Sequence, residues 1–135
     1  MASITKEILT AAAPGQVWAA IRDIGALHTR LVPGFVVDTR LESGARIVTF
    51  GNGIEARELI VDLDDAAQRL AWSAAGGRLS HHNASIQVFA APGAGSRVVW
   101  IADLLPSEMK APIESMISQG MAVMKKTLDA IGSPA

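Results

Sequence analysis

Three ionisable side chains lie in apolar stretches where they could take part in proton transfer: Glu58, His82 and Asp103. A carboxyl group on the wall of an apolar cavity can serve as an acid, a base or a hydrogen-bond anchor. An imidazole beside it can position a polar ligand group or a water molecule. These roles require side chains that point into the protein, and the alternation of apolar and polar residues along each strand predicts which side chains do so.

Glu58 lies on a predicted strand over residues 54–63 and shares one face with Ile60. We expect this face to point inward, because Glu55 and Arg57 on the opposite face form a typical solvated pair. A Glu58 in this position could be a functional group in a cavity. The alternative is a cross-strand salt bridge with Arg46 or Arg57.

The adjacent histidines of the next long strand point to opposite faces and cannot bind one metal together. His82 has the parity of Ile86 and is predicted to face the core, whereas His81 faces water. A hydrogen-bonded core histidine is the alternative to a ligand-binding one. Asp103 has the parity of Ile101, which predicts an inward carboxylate. The chain has no cysteine, and the sequence predicts neither a metal site nor a cofactor.

Large apolar side chains accompany these groups. Trp72 and Trp100 lie in the middle of predicted strands and could stack against a hydrophobic ligand or simply fill the core. Met116, Met121 and Met124 are unbranched and polarizable, and such side chains suit a wall that accepts variable shapes. We therefore expect all five to line a ligand cavity.

A long C-terminal helix and a set of short strands position these residues. Apolar residues recur at spacings of three and four over 107–131, which predicts an amphipathic helix about 35 Å long. Strands are predicted at residues 3–9, 35–41, 45–50, 54–63, 69–74, 79–89 and 97–105, and short helices at 16–24 and 26–29, the latter with a loop as the alternative. Six of the strands follow one another through short turns, which indicates an antiparallel meander.

Three stretches carry a resemblance to a known family: VWAAIRD at 17–23, EARELIVD at 55–62 followed by RLAW at 69–72, and VVWIADLLP at 98–106. The sequence resembles the START-like (SRPBCC) superfamily, in particular its bacterial polyketide cyclase/dehydrase and lipid-transport-like group, over nearly the whole chain. The resemblance implies an α+β helix-grip fold, in which a curved antiparallel sheet of about seven strands wraps around the long C-terminal helix. Two short helices follow the first strand.

The resemblance also implies an apolar cavity between the sheet and the last helix, but no universal catalytic residue. Family members often have Trp-x-Pro after the first helices, whereas this chain has Leu31-Val32-Pro33. That difference removes one large aromatic side chain near the expected cavity mouth.

Composition limits the classes of function. The formal net charge is −1 and no basic stripe is present, which argues against a nucleic-acid partner. No apolar run reaches 18 residues, so no membrane span is expected. We expect a single domain over residues 1–135, located in the cytoplasm, and we leave a homodimer open. The function predicted is binding of a small hydrophobic molecule (a lipid, a polyketide or an aromatic compound). The alternative is a polyketide cyclase/dehydratase-like enzyme that moves protons with Glu58, His82 or Asp103.

Overall fold

A seven-stranded antiparallel sheet curves around one long helix in the computed structural model, which describes residues 2–74 and 76–132. The strands are β1 (Ala2–Thr10), β2 (Val36–Glu42), β3 (Ala45–Phe50), β4 (Glu55–Asp64), β5 (Arg69–Ser73), β6 (His81–Ala90) and β7 (Ser96–Leu105). Their order across the sheet is β1-β7-β6-β5-β4-β3-β2. The predicted meander and helix-grip architecture are therefore confirmed, and β1 closes the sheet by pairing with β7.

The long helix α2 spans Lys110–Gly132 and follows a 3-10 turn at Ser107–Met109. Pro112 falls in its first turn, where a backbone N–H has no partner within the helix and its absence costs little. The buried residues of α2 are Ile117, Gly120, Met121, Met124 and Leu128, which keep the predicted spacing of three and four. This apolar stripe packs over the concave side of the sheet.

Two short helical segments separate β1 from β2, as predicted. The first is α1 (Pro14–Arg22), and the second is a π-helical turn at Leu27–Leu31. Trp18 of α1 is 5% exposed, and its Nε1–H donates to Asp65 in the turn between β4 and β5 at 2.8 Å. This contact fixes α1 against the sheet. Within the two described ranges, no helix is long and apolar enough to cross a membrane.

Alternation along the strands determines which side chains meet α2. In β7, Val98, Ala102 and Leu104 are buried, so Trp100 between them also points inward. Leu104 is paired with His82 of β6, and the two residues share the inner face. The core consequently fills the space between the concave side of the sheet and the helix.

Candidate functional site

A cavity of about 500 Å³ lies between the sheet and α2. Its size is within the range of pockets that bind small molecules, roughly 300–1,000 Å³. Most of the wall is apolar and comes from the π-helical turn and the residues that follow it, the inner faces of β3 to β7, and α2 as far as Met124. The apolar members include Ile21, Leu27, Leu31, Phe35, Phe50, Ala56, Leu70, Trp72, Ile86, Trp100, Met109, Ile113, Met116, Ile117 and Met124.

The mouth of the cavity lies at one end of the sheet. Ile54 comes from the connection between β3 and β4, Glu55 is the first residue of β4, and Arg78 and Leu79 come from the connection between β5 and β6. Antiparallel pairing brings these two connections and the start of α2 to the same end. Ile54 is 60% exposed, which places an apolar side chain in water at the rim.

Aromatic rings form two pairs in the wall. Phe35 and Phe50 meet edge to face with centroids 5.5 Å apart, and Trp72 and Trp100 do so at 5.7 Å. Gly120 allows two of these rings to approach α2, because a Cβ there would lie 3.1 Å from Phe35 Cε2 and 3.4 Å from Trp100 Cζ3. Flat apolar surfaces of this kind suit a planar or ring-containing ligand.

The main charged feature inside the cavity is an ion pair. Arg46 and Glu58 are directly opposite in the β3–β4 ladder and point inward, with 4% and 10% of their side chains exposed. Arg46 Nε donates to Glu58 Oε1 at 2.7 Å, and Arg46 Nη1 donates to the carbonyl of Ile24 at 3.4 Å. The guanidinium also lies 5.8 Å from the ring centroid of Trp72, within cation–π range. The inward orientation predicted for Glu58 is thus confirmed, and the alternative considered for this residue, a cross-strand salt bridge with Arg46, forms inside the cavity.

His82 lines the same cavity and is partly buried, which confirms its predicted inward orientation. Its Nδ1 accepts a hydrogen bond from the backbone N–H of Ala74 at 2.9 Å, and its carbonyl accepts one from Ser73 Oγ at 2.6 Å. Burial lowers the pKa of His82, and the neighbouring His81 adds to this effect. A neutral imidazole is therefore favoured near pH 7.

Trp100 holds one unpaired polar group. Its Nε1 is buried and has no hydrogen-bond partner within residues 2–74 and 76–132. An unpaired buried donor costs about 1–3 kcal/mol. The Trp100 ring packs against Trp72 and Gly120, and the free energy of these contacts must outweigh the cost of the unpaired Nε1–H.

Two of the predicted site residues do not line the cavity. Asp103 lies on the outer face of β7, where it accepts a hydrogen bond from Ser3 Oγ, so the expectation of an inward carboxylate is wrong. The reason is that β7 is apolar at both parities, and the inner parity belongs to Trp100. Met121 is 4% exposed in the core beside the cavity rather than on its wall, whereas Met116 and Met124 line it.

Several wall residues were not predicted. Phe35 and Phe50 were assigned only to strands, although Phe50 has the parity of Arg46 in β3 and could have been identified from that alternation. Ile113 enters the wall at the start of α2. Its proximity to the cavity depends on the path of the chain between β7 and the helix, which no local pattern reveals.

In the part of the chain that the structure describes, His, Asp and Glu side chains form no group of three or more able to hold a metal ion. The chemistry available at the site therefore comes from an ion pair, one imidazole and the aromatic walls. These groups can orient a ligand through hydrogen bonds and stacking. The carboxyl group of Glu58 and the imidazole of His82 are the two that can exchange protons.

Comparison with known proteins gives a family match. The family model described as polyketide cyclase/dehydrase and lipid transport matches residues 1–131. No curated protein matches the chain.

Solved structures with the same fold are numerous. The protein XoxI from Bacillus cereus is 18% identical, with 99% of this chain and 100% of that chain covered and a TM-score of 0.87. A protein from Thermobifida fusca is 26% identical, with 98% and 93% covered and a TM-score of 0.76. The di-domain ARO/CYC BexL from the BE-7585A biosynthetic pathway is 14% identical, with a TM-score of 0.84, and this chain covers 48% of it. These structures are similar to this chain in fold.

Proposed function

This chain belongs to the polyketide cyclase/dehydrase and lipid transport family, and we propose that it binds one small hydrophobic molecule (a lipid, a polyketide or an aromatic compound) between the sheet and α2. The observation that carries the proposal is the cavity of about 500 Å³ with two aromatic pairs in its wall. Burying apolar ligand surface there contributes roughly 25 cal/mol per Å² removed from water.

The ligand contacts proposed are Trp72, Trp100, Met116 and Met124 from the apolar wall, with Glu58 and His82 from the polar one. Glu58 acts together with Arg46, since the two are joined by a hydrogen bond. If Glu58 contacts the ligand, Glu58→Gln changes the ligand affinity. An unchanged affinity removes Glu58 from the site.

Native mass spectrometry of the protein purified from its own source tests the proposal directly. The expected result is a co-purified small molecule that dissociates on activation in the gas phase. Ala56→Phe places a ring in the cavity from the inner face of β4 and is expected to abolish co-purification. Leu59→Phe adds a ring on the exposed outer face of the same strand and serves as the matched control. A molecule retained equally by both variants would place the ligand elsewhere.

A second candidate is a cyclase/dehydratase-like enzyme, favoured by the presence of Glu58 and His82 in one cavity. BexL, which shares the fold, is an ARO/CYC protein. Proton transfer at a carbon next to a carbonyl would be visible as hydrogen–deuterium exchange of a methyl ketone in D2O. Exchange that depends on Glu58 and is unaffected by Asp103→Asn favours the enzyme. Exchange at the rate of buffer alone favours simple binding.

A further inference from the structure

We propose that His82 selects uncharged ligands that carry a hydrogen-bond acceptor oxygen, such as a ketone, and that the cavity discriminates against carboxylates of the same shape. This inference rests on the proposed binding function and names the ligand class. It follows from the tautomer of His82 and from the arrangement of charges around it.

The backbone fixes the tautomer. The N–H of Ala74 can only donate, so the Nδ1 that receives it at 2.9 Å must carry a lone pair. In a neutral imidazole the proton then resides on Nε2. Nε2 has no partner among the residues that the structure describes, and His82 lines the cavity. Uncharged His82 therefore offers a donor to a bound molecule and not a basic nitrogen.

The charges around this donor are unfavourable for an anion. Inside the cavity the one cationic wall group, among the described residues, is Arg46, and it is neutralised by Glu58 at 2.7 Å. The other charged residues that border the cavity, Glu55, Arg57 and Arg78, have exposed side chains, and Arg57 is paired with Glu42 on the outer face of the sheet. A carboxylate drawn inside would lose its hydration and meet no unpaired cation. A ketone loses far less hydration and gains the bond from Nε2.

Three naphthalene probes of nearly equal shape separate the gain from the hydrogen bond and the cost of burying a carboxylate. They are 2-acetylnaphthalene, 2-ethylnaphthalene and 2-naphthoate. At pH 7.5 we expect the ketone to bind roughly two- to tenfold more tightly than the ethyl compound, the usual net value of one neutral hydrogen bond. We expect the carboxylate to bind more weakly than either. Naphthoate binding as tightly as the ketone would overturn the proposal.

Variants assign the effect to His82. In His82→Asn the amide oxygen can still accept from Ala74, while the donor at the Nε2 position is withdrawn. The variant is expected to bind the two uncharged probes with equal affinity, so that the preference for the ketone is lost. His81→Asn, on the outer face, is expected to keep the preference of the wild type for the ketone. An equal loss for all three probes in His82→Asn would indicate a structural role and overturn the proposal.

The tautomer can be measured without any ligand. A long-range proton–nitrogen NMR spectrum of the ¹⁵N-labelled protein is expected to show His82 protonated at Nε2 and unprotonated at Nδ1. A proton on Nδ1 would overturn the inference. Binding of none of the three probes would overturn the proposed function itself, whereas binding of all three with equal affinity would overturn the inference alone.

Discussion

Replacing Glu58 by glutamine is expected to lower the free energy of unfolding by about 3–5 kcal/mol, because it leaves the buried Arg46 without its counterion. The two side chains are 4% and 10% exposed, and their Nε–Oε1 distance is 2.7 Å. Among the described residues, Arg46 retains the hydrogen bond to the carbonyl of Ile24 at 3.4 Å, which compensates little of the lost charge. The predicted loss is a large share of the stability of a domain of this size.

A matched pair on the outer face of the sheet provides the control. Arg57 Nε lies 3.0 Å from Glu42 Oε2, with 52% and 48% of the two side chains exposed. Glu42→Gln therefore removes the same kind of contact in water and is expected to cost no more than about 1 kcal/mol. The difference between the two glutamine variants isolates the effect of burial.

A double replacement tests the mechanism. Arg46→Met combined with Glu58→Leu substitutes apolar groups of similar volume, and such changes are often neutral or stabilising. We expect the double variant to be within about 1 kcal/mol of the wild type or above it, although Glu58→Gln alone is strongly destabilised. Urea denaturation at pH 7.5, followed by far-UV circular dichroism, measures all four proteins. A Glu58→Gln cost equal to that of Glu42→Gln would refute the reasoning.

Three further predictions concern stability. Burial lowers the pKa of His82 below its ordinary 6.5, so on acidification the unfolded chain takes up a proton before the folded protein does. The free energy of unfolding therefore falls as the pH decreases below 6.5. Urea denaturation from pH 8 to 5 is expected to show this decline in the wild type and in His81→Asn, but not in His82→Asn. Gly120→Ala is expected to leave the free energy of unfolding unchanged or to raise it by up to about 1 kcal/mol, because the ring of Phe35 can move into the cavity. The same variant is expected to bind 2-ethylnaphthalene more weakly. A decrease in the free energy of unfolding of more than about 2 kcal/mol would contradict this prediction. Leu128→Ala, at a fully buried position, is expected to cost about 2–5 kcal/mol in the same denaturation assay.

Local patterns were sufficient to predict the architecture of this chain. β3 begins and ends at the predicted residues, because Gly44 and Gly51 bound a short alternating stretch. The helix stripe of α2 was visible because its apolar residues follow the helical period over more than five turns. Short turns then allowed only antiparallel neighbours from β2 to β7, whereas the pairing of β1 with β7 does not follow from that restriction.

The orientation of side chains could be predicted only where the two faces of a strand differ. In β4 the charged Glu55 and Arg57 marked the outer face, and Glu58 was placed correctly. In β7 the outer face carries Ile101, 39% exposed, so both parities are apolar and Asp103 was placed on the wrong face. An exposed apolar residue on a sheet removes the contrast on which such predictions depend.

The cavity itself was beyond local patterns, because it depends on where packing leaves space. Met121 and Met124 are both buried on the same helix and differ by three positions, yet Met124 alone of the two borders the cavity. Phe35 meets α2 at Gly120, a contact between residues 85 positions apart in the chain. Periodicity identifies which side chains are inside, whereas the distances between elements decide which of them surround a ligand.

The cavity between the sheet and α2 opens at a mouth, so water can enter it when no ligand is bound. Arg46, Glu58 and His82 provide the hydrogen bonds that make water acceptable there, while the aromatic walls make water a poor occupant. Under the proposed function, a ligand that replaces this water and still forms hydrogen bonds with these polar side chains gains both the apolar contact and the hydrogen bonds.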